Sequence, residues 1–461
     1  MSRATDRGAA SLASELRIEQ ALFVLLAFLL TAFGLLMIFS ASSIEALTSA
    51  DTGHDPAFYV KRQLLFMVMG LVVAVIIALF DYHLWSATLM PVIGAVVIAM
   101  LVLVLTPLAG ADAYGATRWL AVGPIHLQPS EFAKASVLLA SASIIERWAY
   151  GIEDLREQWM FIGGLVLLPL VLILRQPDKG TTLIICIMVM TLFFIAGMPL
   201  KLVLIGVACG LGVIGFLAVF DSYSLARIQM AWDPWKDPYD SGYQLIQGLL
   251  AFGSGGLTGV GLGNSRQKYS YLPMAHNDFI YAVIGEEWGL VGTIGMLLAF
   301  VALVYLGLRI ARKAPDLSGR LIASGSVITL GVQMLVNTAG VLCLIPLSGK
   351  PIPFISYGGS SIISTLVLVG LVISVSRVSL NALSSSREGF SVVEGSSPRG
   401  FRVIEGGGRT TPDDLRSERD FSMAYGSGRV TTNANGSRRI NLGPSASDRL
   451  RGRDMGRGGR G

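Results

Sequence analysis

Long apolar runs recur along this chain, and they constrain its fold more than any other feature. A helix needs about 20 mostly apolar residues to cross the hydrocarbon core of a bilayer, and shorter runs are more typical of buried helices in soluble proteins. The first run, residues 20–41, is longer than the apolar core of a signal peptide and is not followed by a clear cleavage site. Since 52% of all residues are hydrophobic, the sequence predicts an all-α polytopic membrane protein.

The apolar runs predict about ten transmembrane helices. Lys134 and several small residues make the fourth run the weakest, although small residues also favour close helix packing in lipid. A large loop, residues 220–279, separates spans seven and eight. The predicted spans are residues 20–41, 62–80, 86–107, 130–147, 158–174, 180–198, 200–219, 280–310, 321–346 and 357–377.

Basic residues in the loops predict the orientation of the chain, because cytoplasmic loops carry an excess of lysine and arginine. With ten spans, one side carries Arg3, Arg7, Arg17, Arg147, Arg156, Lys201, Arg309, Arg312, Lys313 and Arg320. The opposite side carries Arg118, Arg175 and Lys179, which weakens the bias without reversing it. We therefore expect both termini in the cytoplasm, and the loops at 108–129 and 220–279 on the extracytoplasmic side.

The chain divides into a cytoplasmic N-terminus (1–19), a transmembrane domain (20–378) and a C-terminal tail (379–461). The tail is rich in Gly, Ser and Arg, which predicts a disordered segment. Its 14 arginines and nine acidic residues account for the whole net charge of +5. Such a tail could bind anionic membrane lipid or an acidic partner, or it could remain solvated without a fixed partner. We expect no nucleic-acid partner.

The cysteine and histidine positions predict neither a disulfide framework nor a zinc site. Cys186, Cys209 and Cys343 are odd in number, lie in apolar segments and form no CxxC pair. The four histidines are scattered along the chain. We therefore expect no metal site built from these residues.

A first polar stretch, "GATRWLAVGPIHLQPSEFAK", lies between spans three and four. Pro129 suits the first turn of a helix, where its missing N–H is not needed. Glu131 and Lys134 then share a face at i, i+3. They could simply pair with each other while Arg118 anchors the loop at the interface. Alternatively Arg118 and Lys134 bind a phosphate, because a lysine within a span needs a partner or a function.

A second polar stretch, "AHNDF", places Asp278 directly before the eighth apolar run. Asp278 could cap that helix. However, residues 288–310 are already long enough to cross the bilayer, and a straight helix would lift Asp278 about 13 Å beyond Glu287. That is the height of headgroups and lipid-linked sugars, where a carboxylate can act on a sugar hydroxyl. Upstream, Gln244 could bind sugar hydroxyls and Lys268 supplies positive charge.

A third stretch, "PLSGKPIPFISYGGSS", breaks the helical pattern between spans nine and ten. Irregular backbone at membrane depth is tolerated where it is buried or lines a cavity. Lys350, Ser360 and Ser361 could hold a phosphate there together with free N–H groups. The alternative is a re-entrant loop with a packing role.

Several motifs together resemble the SEDS family (shape, elongation, division and sporulation) over residues 20–378. The motifs that carry the resemblance are "QPSEFAK", "GYQLIQG", "GLGNSRQKYSYLP", "AHNDFIYAVIGEEWG" and "PFISYGGSS". "GNSRQK" followed by "YLP" is most similar to the division branch, with the sporulation and elongation branches as alternatives. One departure is Met274, which stands where the family commonly has glutamate in an "LPE" motif.

The resemblance implies an extracytoplasmic glycosyltransferase in the bacterial plasma membrane. It implies that lipid II is polymerised, with inversion, into β-1,4-linked septal glycan strands. Asp278 matches the family's essential aspartate, and Arg118 and Lys134 match its loop arginine and helix lysine. The expected partners are a class B penicillin-binding transpeptidase and other divisome proteins. A divalent cation, Mg²⁺ or Mn²⁺, could assist, although the sequence shows no dedicated site. The predicted substrate-binding residues are Arg118, Glu131, Lys134, Gln244, Lys268, His276, Lys350, Ser360 and Ser361.

Two other functions fit the same sequence features. A polytopic protein with charged residues in its spans could be a transporter, here a lipid II flippase, although no inverted repeat is obvious. A different lipid-linked sugar transferase could use an acid of the first outer loop, among Glu45, Asp51 and Asp55.

Overall fold

The computed structural model describes most of the transmembrane domain and short parts of the tail. The described residues are 2–106, 110–113, 116–122, 125–220, 222–240, 242–269, 271–391, 429–432 and 438–441. The helices among them are α1 (Ser2–Thr48), α2 (Phe58–Leu79), α3 (Met90–Val104), α4 (Pro129–Ala149), α5 (Trp159–Phe161), α6 (Leu168–Arg175), α7 (Lys179–Ile195), α8 (Leu200–Val219), α9 (Ser222–Trp232), α10 (Tyr243–Gly255), α11 (Ile280–Arg312), α12 (Leu317–Val341) and α13 (Gly359–Ser391). Short 3₁₀ turns lie at Ala50–Thr52 and Pro234–Lys236, and π-helical turns at Leu84–Thr88 and Ile162–Leu167.

Each predicted span coincides with a helix, which confirms the polytopic all-α architecture. Within the described residues, five helices are long and apolar enough to cross a membrane: Ser11–Thr48, Phe58–Leu79, Ile280–Arg312, Leu317–Val341 and Gly359–Ser384. Four shorter apolar segments, Met90–Val104, Trp159–Arg175, Lys179–Ile195 and Leu200–Phe216, account for four more predicted spans. The remaining span is α4, in which 15 of the 21 residues are buried.

Small residues set the spacing at the centre of the helix bundle. A Cβ added at Gly325 of α12 would lie 2.3 Å from Leu138 of α4, and one at Gly307 of α11 would lie 2.2 Å from Val327. These glycines therefore let the helix backbones approach closely, as is typical of helix pairs in lipid.

Two predicted loops contain regular structure of their own. The segment at 220–279 includes α9 and α10, and α10 packs against α11. The segment before α4 forms an antiparallel three-stranded sheet of β1 (Gly110–Ala113), β2 (Ala116–Val122) and β3 (Ile125–Leu127). Leu120 of β2 pairs with Leu127 of β3 and is buried. Within the residues that the structure describes, the fold is therefore all-α apart from this small sheet and a hairpin in the tail.

The predicted boundary between the transmembrane domain and the tail, at residue 379, falls within a helix and stays a prediction. Helix α13 continues past residue 378 to Ser391. In the tail, β4 (Arg429–Thr432) and β5 (Arg438–Asn441) pair antiparallel within a separate compact unit. The other residues from 392 onwards lie outside the described part of the chain, so their predicted disorder stays a prediction.

Helix α11 is broken rather than straight, which corrects the prediction of one straight helix from residue 280. Gly289 has φ 64° and ψ −157°, a backbone conformation that favours glycine. A crossing segment from the end of α10 satisfies the backbone at the break, because Leu290 N–H donates to Gly256 C=O at 3.0 Å and Val260 N–H donates to Glu286 C=O at 3.0 Å. The polar N-terminal part of α11 is thereby fastened to α10.

We expect Gly255→Ala to destabilise the fold, because its Cβ would lie 1.9 Å from the carbonyl oxygen of Gly285. Overpacking of this kind typically costs about 1–3 kcal/mol. Gly253 of the same helix is a matched control, since a Cβ there meets nothing within 4 Å. The melting temperature in detergent should fall for Gly255→Ala and stay level or rise for Gly253→Ala. Equal melting temperatures for the two variants would contradict the close approach of α10 and α11.

Candidate active site

Asp278 lies in the turn that leads into α11, and its position is fixed by two neighbouring segments. Its backbone carbonyl accepts a hydrogen bond from Asn337 Nδ2 of α12 at 2.9 Å. Its carboxylate faces Gly349, where an added Cβ would be 3.5 Å from Asp278 Oδ2 and 3.7 Å from Arg227 Nη1. The cap position of α11 is taken by Phe279. The alternative that Asp278 merely caps the helix is therefore wrong.

The electrostatic surroundings make Asp278 a stronger base than an exposed aspartate. Burial raises the pKa of Asp278 above its ordinary value of 3.8, and the positive charges of Lys350, Arg227, Arg118 and His276 offset that effect only in part. The side chain nevertheless keeps some accessible surface. A half-buried carboxylate with a raised pKa and cations nearby is well suited to accept a proton from a bound substrate.

Arg118 reaches this site from β2 and is oriented by backbone carbonyls. Its Nε donates to Gln176 C=O at 3.1 Å and its Nη2 donates to Pro177 C=O at 2.8 Å. Neutral acceptors orient the guanidinium without cancelling its charge. Arg118 lies close enough to Asp278 for its charge to act on the pKa of that carboxyl, and binding of a phosphate by Arg118 stays a prediction.

Lys350 is held by a buried aspartate that sequence reasoning missed. Lys350 Nζ lies 2.5 Å from Asp178 Oδ2, and both side chains are only 1% exposed. Asp178 also accepts from Ser130 Oγ at 2.8 Å and from the N–H of Thr181 at 3.1 Å, as the cap of α7. Burial opposes the ionisation of Asp178, but Lys350, Arg118 and the hydrogen bonds outweigh burial and hold its pKa below the usual range. The sequence offers one signal for Asp178, its position directly before a helix, but this position does not show that Lys350 is its partner.

Lys134 and Glu131 form the ion pair that their spacing predicts. Lys134 Nζ lies 2.7 Å from Glu131 Oε2, and the two side chains are 2% and 0% exposed. Lys134 also donates to Gln333, whose Nε2 donates to Pro351 C=O at 2.8 Å. The pair therefore supports the segment that carries Lys350. Direct contact of Lys134 or Glu131 with a substrate stays a prediction.

Ser360 and Ser361 lie at the start of α13 and are buried. Ser360 Oγ accepts a hydrogen bond from Gln128 N–H at 2.8 Å, next to the strand that precedes α4. Ser360 thus joins the start of α13 to the residue before α4, and binding of a phosphate by the two serines stays a prediction.

His276 is buried two residues before Asp278, between Tyr59 and Tyr357. The ring centroids lie 4.3 Å and 5.4 Å away, respectively. Tyr357 N–H donates to His276 C=O at 2.9 Å. His276 Nδ1 lies 3.3 Å from Glu45 Oε2 of α1. Of the acids proposed in the first outer loop, Glu45 therefore reaches the site, whereas Asp55 forms an exposed pair with Lys61.

Two further predicted substrate-binding residues are Lys268, which belongs to a separate cluster, and Gln244. Lys268 is buried in a separate cluster, where its Nζ donates to Gly263 C=O and lies 3.4 Å from Glu287 Oε1. A carboxylate of α11 and a loop carbonyl thus bind its ammonium group, and binding of substrate by Lys268 stays a prediction. Gln244 is a half-buried residue of α10, and its role stays a prediction.

The described part of the chain contains no group of three or more His, Cys, Asp or Glu side chains that could hold a metal ion. Around Asp278 the neighbouring charges are cationic, and cations disfavour a bound Mg²⁺ or Mn²⁺. The residues present therefore do not fit a resident divalent cation at this carboxylate.

Comparison with known proteins relates the whole helical domain to one family. A sequence model of the cell cycle protein family of FtsW, RodA and SpoVE matches residues 20–381. The probable peptidoglycan glycosyltransferase FtsW of Trichlorobacter lovleyi is 39% identical over 347 residues, which are 75% of this chain and 90% of that protein. Stage V sporulation protein E of Bacillus subtilis is 38% identical over 361 residues, 78% of this chain and 97% of that protein.

Solved structures share the fold as well. The rod shape determining protein RodA of Thermus thermophilus superposes with a TM-score of 0.57 and 28% identity, covering 77% of this chain and 96% of that one. A chain from a peptidoglycan synthase complex superposes with a TM-score of 0.62 and 30% identity, covering 77% of this chain and 97% of that one. The match extends over all the helices that surround Asp278, and so the chain belongs to the SEDS family, the family of FtsW, RodA and SpoVE.

Proposed function

We propose that this chain is a peptidoglycan glycosyltransferase that polymerises lipid II into β-1,4-linked glycan strands and releases undecaprenyl pyrophosphate. The observation that carries the proposal is the half-buried Asp278 carboxylate, with its raised pKa, beside Arg227, Arg118 and Lys350. One base surrounded by cations is what transfer of a sugar from a pyrophosphate requires. Relatives that are named peptidoglycan glycosyltransferases support the same activity.

In the proposed reaction, the 4-hydroxyl oxygen of the acceptor sugar attacks the anomeric carbon of the lipid-linked donor. Asp278 accepts the hydroxyl proton as the new C–O bond forms. The bond from the anomeric carbon to the pyrophosphate oxygen breaks on the opposite face, and the pyrophosphate departs with the electron pair. Arg118, Arg227 and Lys350 stabilise the negative charge that develops on it. The donor is already activated, so that no further energy source is needed.

The distribution of charge along α11 supports an extracytoplasmic active site. Asp278 precedes one end of α11, and Arg309 and Lys313 lie at the other end, where they pair with Glu19 of α1 at 2.7 Å and 2.9 Å. Because the positive-inside rule assigns the basic end to the cytoplasm, the proposed orientation has cytoplasmic termini and Asp278 at the outer surface.

The relatives also support a partner and a cellular role. One structural neighbour is a chain of a peptidoglycan synthase complex, described as coordinating polymerisation and crosslinking. We therefore expect a class B penicillin-binding transpeptidase as partner, together with other divisome proteins. Relatives named FtsW favour septal synthesis in division, and the sporulation relative of nearly equal identity makes a sporulation septum the second candidate.

The function is tested with the purified full chain, alone and with its transpeptidase partner, and fluorescent lipid II. Gel electrophoresis should show a ladder of glycan strands that lysozyme digests. A parallel assay in vesicles follows the accessibility of the lipid II headgroup to a membrane-impermeant reagent. Headgroup movement across the membrane without polymer would contradict the proposal and support a flippase instead.

When the solution is acidified, we expect the polymerisation rate to begin to fall at a higher pH than it would if the base had the pKa of an exposed aspartate. Only the ionised Asp278 can accept the proton, and burial raises its pKa above 3.8. Activity is therefore present above the raised pKa and is lost as the pH falls through it. Initial rates at saturating lipid II, measured across the pH range on protein that remains folded, check the position of this limb. A rate that stays constant down to the pKa of an exposed aspartate would contradict Asp278 as the base.

A further inference from the structure

The turn that carries Asp278 also contains His276, which belongs to a small polar and aromatic cluster. We call Glu45, Tyr59, His276 and Tyr357 the Glu45 cluster. These residues come from the end of α1, the start of α2, the turn before α11 and the segment before α13. Four separate parts of the chain therefore meet at a point two residues from the proposed base.

Within the Glu45 cluster, His276 is the central group. Its side chain is 1% exposed. The Tyr59 ring packs against it at 4.3 Å with an interplanar angle of 42°, and the Tyr357 ring meets it edge-on at 5.4 Å. Two tyrosine rings thus fix the tilt of the imidazole, and the Tyr357 N–H fixes the His276 carbonyl.

Glu45 supplies the contact that fixes the rotation of the imidazole. Its Oε2 lies 3.3 Å from His276 Nδ1, an ion-pair contact that lacks the alignment of a hydrogen bond. The Tyr59 side chain lies close to the Glu45 carboxylate as well. A ring that packs between two other rings can still flip by a half-turn about its Cβ–Cγ bond unless one of its nitrogens is held.

We propose that Glu45 is a positioning residue for the glycosyl transfer, which acts through His276 to hold the turn that presents Asp278. The proposal rests on the proposed function of Asp278. Glu45 lies against the imidazole, and in this proposal it does not itself contact the reacting atoms. Because α1 and α2 contribute Glu45 and Tyr59, a shift of either helix would move the proposed base.

The position of a base matters because a misplacement of about 1 Å can reduce the rate of a reaction on the order of 100-fold. Loss of the Glu45 contact should therefore lower kcat and leave KM for lipid II nearly unchanged. The cations that bind the pyrophosphate are held by other residues, Arg118 by Gln176 C=O and Lys350 by Asp178. A general loss of structure would instead lower the melting temperature and alter both kinetic constants.

The test compares Glu45→Ala with Glu45→Gln in the full chain, using initial rates of lipid II polymerisation. Glutamine keeps an oxygen that can accept from His276 Nδ1 and from the Tyr59 hydroxyl, whereas alanine does not. We expect kcat to fall about 10- to 100-fold in Glu45→Ala and to stay within about threefold of wild type in Glu45→Gln. KM and the melting temperature should change little in both. Asp55→Ala removes an exposed acid of the same outer region, which pairs with Lys61, and should behave like wild type.

Three results would overturn the inference. The first is a wild-type kcat in Glu45→Ala. The second is a kcat in Glu45→Gln as low as in Glu45→Ala. The third is a lower kcat in Glu45→Ala that is accompanied by a lower melting temperature. Failure of the proposed function has a different signature, because the wild-type chain would then make no polymer at all.

Discussion

The Asp278→Asn variant will make no detectable glycan polymer from lipid II, although the protein remains folded. The amide has the shape of the carboxylate but cannot accept the hydroxyl proton, and loss of a general base typically lowers a rate by about 10²- to 10⁴-fold. The fold should tolerate the change, because burial already disfavours the charged form of Asp278 and its backbone carbonyl still accepts from Asn337. The loss of activity is measured by polymerisation of fluorescent lipid II, and retention of the fold by the melting temperature in detergent.

Asp55→Asn is the matched control for this variant, since it makes the same chemical change at an exposed acid that pairs with Lys61. It should polymerise lipid II at the wild-type rate. Binding of lipid II to Asp278→Asn should persist, because Arg118, Arg227 and Lys350 are unchanged. If Asp278→Asn produced glycan strands at a rate within tenfold of wild type, Asp278 would not be the catalytic base.

The positions of the spans could be predicted from the sequence because hydrophobicity is a local property of each run. The break in α11 could not be predicted in the same way. It depends on backbone hydrogen bonds such as Val260 N–H to Glu286 C=O, which join residues far apart in the chain. The sheet around Leu120 and the helices within 220–279 were likewise predicted as loops, since their stability comes from packing on neighbouring helices.

The same distinction applies to the site. The pairing of Glu131 with Lys134 follows from their spacing on one helix turn. Asp178 and Lys350 are 172 residues apart, and no local pattern connects them. Lys268 was predicted to supply positive charge from its sequence context alone, but charge does not reveal which carboxylate lies next to it, here Glu287. Arg227 was missed because a single arginine in a loop helix carries no signal of its own.

Removal of the Lys350 ammonium group is expected to have a large effect on stability as well as on activity. Lys350→Met leaves the Asp178 carboxylate buried without its cation, and Asp178 is only 1% exposed. Breaking a buried ion pair from one side typically destabilises a protein by about 3–5 kcal/mol. Asp178→Asn should also destabilise the protein, because it strands the lysine, although the asparagine side chain can still accept from Ser130 and Thr181.

The double variant Lys350→Met, Asp178→Asn separates the structural role of this pair from its catalytic role. It contains no stranded charge, so its melting temperature should recover most of the loss seen in Lys350→Met. Its polymerisation rate should remain low, because the cation that faces the departing pyrophosphate is absent. Lys61→Met breaks an exposed pair of similar length, 2.7 Å, and should leave both quantities at the wild-type level. If the double variant regained the wild-type rate together with its stability, Lys350 would be a structural residue, and stabilisation of the leaving group would rest on Arg118 and Arg227.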